Sequence, residues 1–180
     1  DVFLTAHLGA VLYGDQYGKS RDQQLAEQHF FDYLRRVGTD YVDVIFLHNC
    51  DTRDDLDNIM GPGGLLDLAR RYKREGKARF IGFSSHNTEI AREVVQSGSI
   101  DVLMFPVNMA SYAVPGQREL FNACITGGVG LVAMKPFAGG SLLREKSVIT
   151  VEDYQGGRVH LAGAPMHFLQ PAVKITAAHC

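Results

Sequence analysis

Tyr41-Val42-Asp43-Val44-Ile45-Phe46-Leu47-His48 is a nearly continuous apolar run, broken only by Asp43 and closed by a histidine. Such a run suits a β-strand buried on both faces, as strands of parallel sheets are. Upstream of it, Ala26, Phe30, Tyr33, Leu34 and Val37 recur at spacings of three and four and draw the apolar stripe of one helix. Ser20-Arg21-Asp22-Gln23 offers a capping box at the start of that helix, and Gly38 can take the left-handed conformation that ends it.

The same cycle continues down the chain. Leu65, Leu66, Ala69 and Tyr72 form a helical stripe closed by Gly76, residues 79–84 form a strand, and Asn87 caps a helix carrying Ile90, Ala91, Val94 and Val95 that ends at Gly98. A strand is expected over 101–106, a helix with Pro115 in its first turn and Leu120, Phe121 and Cys124 on its apolar side, and a strand over 129–134. Residues 2–6 read as an earlier strand. Residues 158–169 have a partly helical pattern interrupted by Pro165, which predicts a broken or late-starting helix before a strand over 172–177. Alternation of this kind implies parallel strands joined by right-handed crossovers. At about 30 residues for each unit, the 180 residues hold roughly six. A closed eight-unit barrel takes about 250. An open doubly wound sheet and part of a (β/α)8 barrel both satisfy the pattern, and both gather their chemistry at the carboxyl ends of the strands.

Composition narrows the partners. Apolar residues make up 46% and charged residues 21%, as in ordinary globular chains. Eighteen basic against twenty acidic side chains leave a net charge of −2, without the basic excess that a nucleic-acid binder concentrates on one face. No apolar run approaches membrane-spanning length, and the first residues have no charged region or cleavage site, so a soluble protein with no membrane partner is expected. Cys50, Cys124 and Cys180 are odd in number and widely spaced, which suits a reducing, cytoplasmic setting. With no composition shift or linker, residues 1–180 read as a single domain. The chain opens inside a strand-like run and stops just after another, so it is expected to be cut at both ends.

The predicted strand ends carry polar groups in step: His7, then His48-Asn49-Cys50-Asp51, then Ser84-Ser85-His86-Asn87, then Asn108, Lys135 and His179. His7, His48, His86, Asp51 and His179 are metal-ligating types, but no HxH or HExxH pair fixes two on one element, and no metal site is assigned. Neither a GxGxxG following a strand nor a GxxxxGK[ST] motif occurs. Gly61-Pro62-Gly63-Gly64 reads as a turn. Ala138-Gly139-Gly140-Ser141 follows a strand end directly, where small residues serve a turn or let backbone amides approach a pyrophosphate.

Three segments closely resemble successive motifs of the aldo-keto reductases: Gly38-Thr39-Asp40-Tyr41-Val42-Asp43-Val44-Ile45-Phe46-Leu47-His48, Gly76-Lys77-Ala78-Arg79-Phe80-Ile81-Gly82-Phe83-Ser84-Ser85, and Gly130-Leu131-Val132-Ala133-Met134-Lys135-Pro136-Phe137-Ala138-Gly139-Gly140. Order and spacing match as well, and the Ser-Ser-His-Asn and Met-Lys-Pro runs look most like the bacterial and archaeal branch that often carries a C-terminal iron–sulfur segment. The resemblance implies an α/β fold of (β/α)8 TIM-barrel type, here an incomplete barrel of about six parallel strands. It also implies NADP(H)-dependent reduction of a small aldehyde or ketone, with NAD(H) kept open because the basic cluster that selects the 2′-phosphate would lie beyond Cys180.

By the same resemblance, His48 is the catalytic histidine and His7 stands in place of the family's lysine. A histidine supplies that positive charge only when protonated. The family's Asp and Tyr would precede Asp1, so the catalytic set is expected to be incomplete and the chain alone to give no detectable carbonyl reduction. Ser84, Ser85 and Met104 match the contacts to the nicotinamide carboxamide, and Met134 the residue stacked on its ring. Lys135, Phe137 and Gly139 match the loop over the pyrophosphate. A catalytically silent cofactor-binding or interaction module is the competing expectation, assembling with another chain through open sheet edges at residues 2–6 and 172–177.

Overall fold

The computed structural model describes residues 2–108, 114–138, 148–152 and 158–162. In chain order these form β1 (Thr5–Leu8), β2 (Ala10–Tyr13), β3 (Gln16–Lys19), α1 (Gln23–Val37), β4 (Val42–Leu47), α2 (Arg53–Met60), α3 (Leu65–Arg74), β5 (Ala78–Ser84), α4 (Thr88–Gln96), β6 (Val102–Pro106), α5 (Gln117–Gly127), β7 (Gly130–Met134), β8 (Val148–Glu152) and β9 (Arg158–Ala162). The chain divides into two compact units, Asp1–Phe105 with Glu119–Val132, and Pro106–Arg118 with Ala133–Cys180. Among the described residues, no helix is long and apolar enough to cross a membrane.

The larger sheet has the order β1-β4-β5-β6-β7, so its strands stand side by side in the order in which the chain makes them. β4 pairs parallel with β1 and with β5, and β5 with β6. Because strand side chains alternate between faces, the register sorts the residues into two sets. Leu8, Leu47, Phe83 and Leu103 form one row across the sheet, and Ala6, Ile45 and Ile81 another. All belong to a single apolar cluster with Ala26, Phe30 and Leu34 of α1 and Leu65, Leu66, Ala69 and Tyr72 of α3. Phe30 stacks on Tyr72 at 4.7 Å within it.

The opposite face carries a different row: His7 is in register with Phe46, and Phe46 with Gly82. Phe46 is fully buried yet lies outside the helix-side cluster. Its ring occupies the space that a side chain on Gly82 would need and stacks under the His7 ring at 5.1 Å. His48 follows Phe46 by two residues and Ser84 follows Gly82 by two, so both continue this face.

Several elements depart from the sequence expectations for identifiable reasons. The first strand is Thr5–Leu8 rather than 2–6, because pairing with β4 begins at Thr5↔Val44 and leaves Val2 and Phe3 exposed. Asp22, not Ser20, caps α1: the Asp22 carboxylate accepts from the Leu25 amide at 2.7 Å, while the Ser20 hydroxyl accepts from the Asp22 amide. Pro115 falls in the turn before α5, since Gly116 takes a φ of 79° that no helix contains. The expected helix over 158–169 is corrected at its start. Arg158–Ala162 is a strand, antiparallel to β8 in a separate two-stranded sheet. Arg158-Val159-His160-Leu161-Ala162 alternates polar and apolar residues, a period of two that wins when a β-branched partner such as Val148-Ile149-Thr150-Val151 is available. The expected strand over 172–177 lies outside the described residues.

Four elements lacked an expectation: β2, β3, α2 and β8. Gly14-Asp15 is a two-residue loop with Gly14 at φ 62°, and it joins β2 to β3 as a hairpin in which Leu12 faces Tyr17. Thr52 caps α2 through the Asp55 amide, and α2 buries Leu56 and Ile59.

Candidate active site

The carboxyl ends of β1, β4 and β5 bring His7, His48 and Ser84 together. His7 Nδ1 lies 3.2 Å from His48 Nδ1, and the two rings meet edge to face. The Ser84 hydroxyl accepts the Asn49 amide at 2.8 Å, which ties the residue after His48 to the end of β5. Asn49 adopts a φ of 43°, a left-handed conformation that a non-glycine residue holds only when its surroundings impose it. Arg21 supplies that restraint. Its guanidinium donates to the carbonyls of His48 at 2.8 Å and Asn49 at 2.9 Å, and its Nε reaches Asp55. Lys19 shares the Asp55 carboxylate.

The third partner of the histidine pair comes from the hairpin. The Tyr17 hydroxyl lies 2.6 Å from His48 Nε2, so both ring nitrogens of His48 are engaged. Tyr17 and Arg21 were not legible as site residues in the sequence, and Asn49 was marked only as part of the polar run after His48. For Tyr17 the available signal was the Gly14-Asp15 hairpin turn, a Gly-Asp pair between two strand-like runs.

Burial drives the charge state. Desolvation lowers His48 from its ordinary 6.5 to about 4, helped by the neighbouring His7, Arg21 and Lys19 charges, and burial also lowers His7. Both imidazoles are therefore neutral near pH 7, each with one N–H and one bare nitrogen. Burial raises the Tyr17 phenol, which keeps its proton.

A pH dependence follows. The unfolded histidines protonate near pH 6.5, whereas the native pair does so only at lower pH, so the unfolded state binds more protons between about pH 6.5 and 4 and stability falls across that window on acidification. Asp43, Asp51 and Asp55 are held below the usual carboxylate range, so the stability they contribute is lost only at lower pH. The thermal midpoint should drop on going from pH 7 to pH 4.5, less so in His48→Gln; a wild-type midpoint that stays level over this range would contradict the buried neutral pair.

The other expected site residues are placed as follows. Ser85 is buried, and its hydroxyl donates to Asp51 at 3.1 Å and accepts the Asn87 amide at 3.0 Å, so it braces the turn into α4. Met104 is half-buried, in register with Ser84, and its carbonyl accepts the Ser85 amide. Met134, Lys135 and Phe137 belong to the second compact unit. There the Met134 carbonyl accepts the Val107 amide, the Lys135 carbonyl accepts from Asn108 and Ala138, and Lys135 has a φ of 54°. Gly139 and His179 lie outside the described residues. Among the described residues, no group of three or more His, Cys, Asp or Glu side chains could hold a metal ion.

A parallel sheet backed by helices, with histidines and serines collected at its carboxyl edge, defines an α/β protein of TIM-barrel type, here an incomplete barrel. The family profile described as "Aldo/keto reductase family" matches residues 12–158, and the chain belongs to that family. It is 25% identical over 142 residues to D-threo-aldose 1-dehydrogenase of a Pseudomonas species, covering 79% of this chain and 40% of that protein. It is 23% identical over 175 residues to L-glyceraldehyde 3-phosphate reductase of Escherichia coli K12, covering 95% and 48%. Among solved structures, the holo form of an aldo-keto reductase from Bacillus halodurans aligns with a TM-score of 0.63 and 23% identity, over 88% of this chain and 50% of that one. An aldo/keto reductase from Klebsiella pneumoniae in complex with NADP and acetate aligns with a TM-score of 0.57 and 19% identity, over 80% and 46%. The chain spans about half the length of the proteins it matches or less.

Proposed function

We propose that this chain takes part in the NAD(P)H-dependent reduction of a small aldehyde or ketone. The observation that carries the reading is the contact of His48 with His7 beside Ser84, on the face and at the strand ends where the family resemblance expects them. A carbonyl that displaces the Tyr17 hydroxyl from His48 Nε2 would be oriented and polarised by that nitrogen, while His7 supports the ring at Nδ1. Because His7 is neutral near pH 7, that support is a hydrogen bond at neutral pH and a charge only in acid.

The residues fit a nicotinamide. Asn49 Oδ1 is a buried acceptor without a hydrogen-bond partner, on the residue whose backbone amide donates to the Ser84 hydroxyl. A carboxamide NH2 is the donor that such an acceptor lacks. Ser84 and Ser85, with Met104, would hold that carboxamide. When bound, the reduced nicotinamide supplies the hydride. The family relatives named above support an oxidoreductase acting on carbonyl compounds, and the Klebsiella pneumoniae complex with NADP supports the cofactor class.

The chain contains no tryptophan, so the intrinsic emission of NADPH gives a clean titration. NADPH or NADH is expected to bind in the range of about 1 µM to 1 mM typical of enzyme ligands, with weaker binding in Ser84→Ala. Absence of binding by both nucleotides would end the reading.

A further inference from the structure

We propose that Arg21 is a positioning residue that couples the two halves of the site, because its one guanidinium holds the backbone from which both the His48 ring and the Asn49 side-chain amide are presented. The inference rests on the cofactor and carbonyl reading above. It adds to that reading a residue that acts through the backbone of others.

Arg21 is built into the molecule rather than laid on its surface. Its side chain is only 13% exposed, and a guanidinium taken out of water has to be matched by acceptors. Nη1 donates to the His48 carbonyl at 2.8 Å, Nη2 to the Asn49 carbonyl at 2.9 Å, and Nε to Asp55 Oδ1 at 3.1 Å. Gly9 leaves room for it, since a Cβ there would stand 3.0 Å from Nη1. Asp55 is itself fixed by Lys19 and stands in the first turn of α2, where its backbone amide donates to the Thr52 hydroxyl. The guanidinium therefore joins the end of the hairpin, the start of α2 and the loop after β4.

Two consecutive carbonyls reach this one planar fork. Along an extended strand successive carbonyls point to opposite sides, so the arrangement requires the chain to turn at Asn49, which it does with a φ of 43°. That conformation is costly for a residue with a side chain. It sets the direction of the Asn49 side chain, whose Oδ1 is buried without a partner. It also lets the Asn49 backbone amide reach the Ser84 hydroxyl while the Cys50 amide reaches the Ser84 carbonyl at 3.0 Å. Without the fork, the turn is free to relax out of the left-handed region. The acceptor offered to the carboxamide and the ring of the preceding histidine then move together. A lysine keeps the charge but, as a point donor on a flexible stem, does not hold two carbonyls and a carboxylate in one plane.

The test compares the wild-type chain with Arg21→Lys, Asn49→Gly and the double variant, by NADPH titration and by NMR of the Asn49 carbons and the His48 ring nitrogens. In Arg21→Lys the Asn49 shifts should leave the left-handed range, the His48 ring signals should move with them, and the NADPH Kd should rise about tenfold, the worth of one buried hydrogen bond. Asn49→Gly removes the acceptor but takes the left-handed turn freely. Adding Arg21→Lys to it should therefore raise the Kd by no more than about twofold further, since the two residues act as one. Asp55→Asn, which keeps the guanidinium and loosens its hold at Nε, carries the test should Arg21→Lys not fold: the same signals should move part of the way and the Kd rise about threefold. Signals and Kd that stay at wild-type values in these variants, with only a lower thermal midpoint, make Arg21 a structural staple and overturn the proposal. Additive losses in the double variant overturn it too, because Arg21 would then act on the nucleotide without Asn49. Both outcomes leave the cofactor reading standing, whereas a wild-type chain that binds neither NADPH nor NADH removes that reading and the proposal together.

Discussion

Gly82→Val should not fold, and Gly82→Ala should fold with a loss of about 1–3 kcal/mol, the usual cost of forcing an atom into a filled core. A Cβ on Gly82 would enter the Phe46 ring, and Phe46 has no exposed surface through which to retreat. Its ring is held between Gly82 and the stacked His7. Urea denaturation followed by far-ultraviolet circular dichroism measures the loss. Pairing Gly82→Ala with Phe46→Leu should recover part of it, since the two positions share one volume and their effects cannot add. A Gly82→Val protein with the wild-type midpoint would mean that Phe46 does not occupy this space.

The second large effect belongs to His48. In His48→Ala, kcat for aldehyde reduction should fall by about 10²–10⁴-fold. The NADPH Kd should change little, because Ser84 and Asn49 keep their mutual hydrogen bond. The His48 amide still reaches the Leu8 carbonyl at 3.0 Å, and Arg21 still holds the 48 and 49 carbonyls, so the backbone is retained without the ring. An equal loss of cofactor affinity and of rate would assign His48 to binding rather than to the carbonyl. An unchanged rate would remove it from the site.

The repeating part of the fold was readable because period and punctuation agreed there. The stripe of α1 with Gly38 after it, and that of α4 with Asn87 before it, each state their element twice, once in apolar spacing and once in a cap, and the run ending at His48 is marked by its nearly unbroken length of apolar residues. Reading failed where one signal stood alone. Residues 10–19 have little apolar periodicity, and only the Gly14-Asp15 turn marks the hairpin. In α2, three aspartates outweigh the apolar residues and hide Leu56 and Ile59. Residues 158–162 show a partly helical stripe, but a strand partner decides them.

The site divides in the same way. His7, His48 and Ser84 end strands, so their meeting follows from register alone. Tyr17 and Arg21 reach His48 across the interval between hairpin, loop and helix, and no local pattern encodes that approach.

The order β1-β4-β5-β6-β7 means that each strand docks on the one synthesised just before it in the sheet. Assembly during translation can then proceed by accretion, one crossover at a time, with every new loop closing over a modest stretch of chain and no late segment threading between early ones. The outermost strand at any moment is a temporary template with unsatisfied amides, ready for its successor and equally ready for a stranger. Ribosome-bound chains released after β5 should accordingly clump more readily than those released after β7.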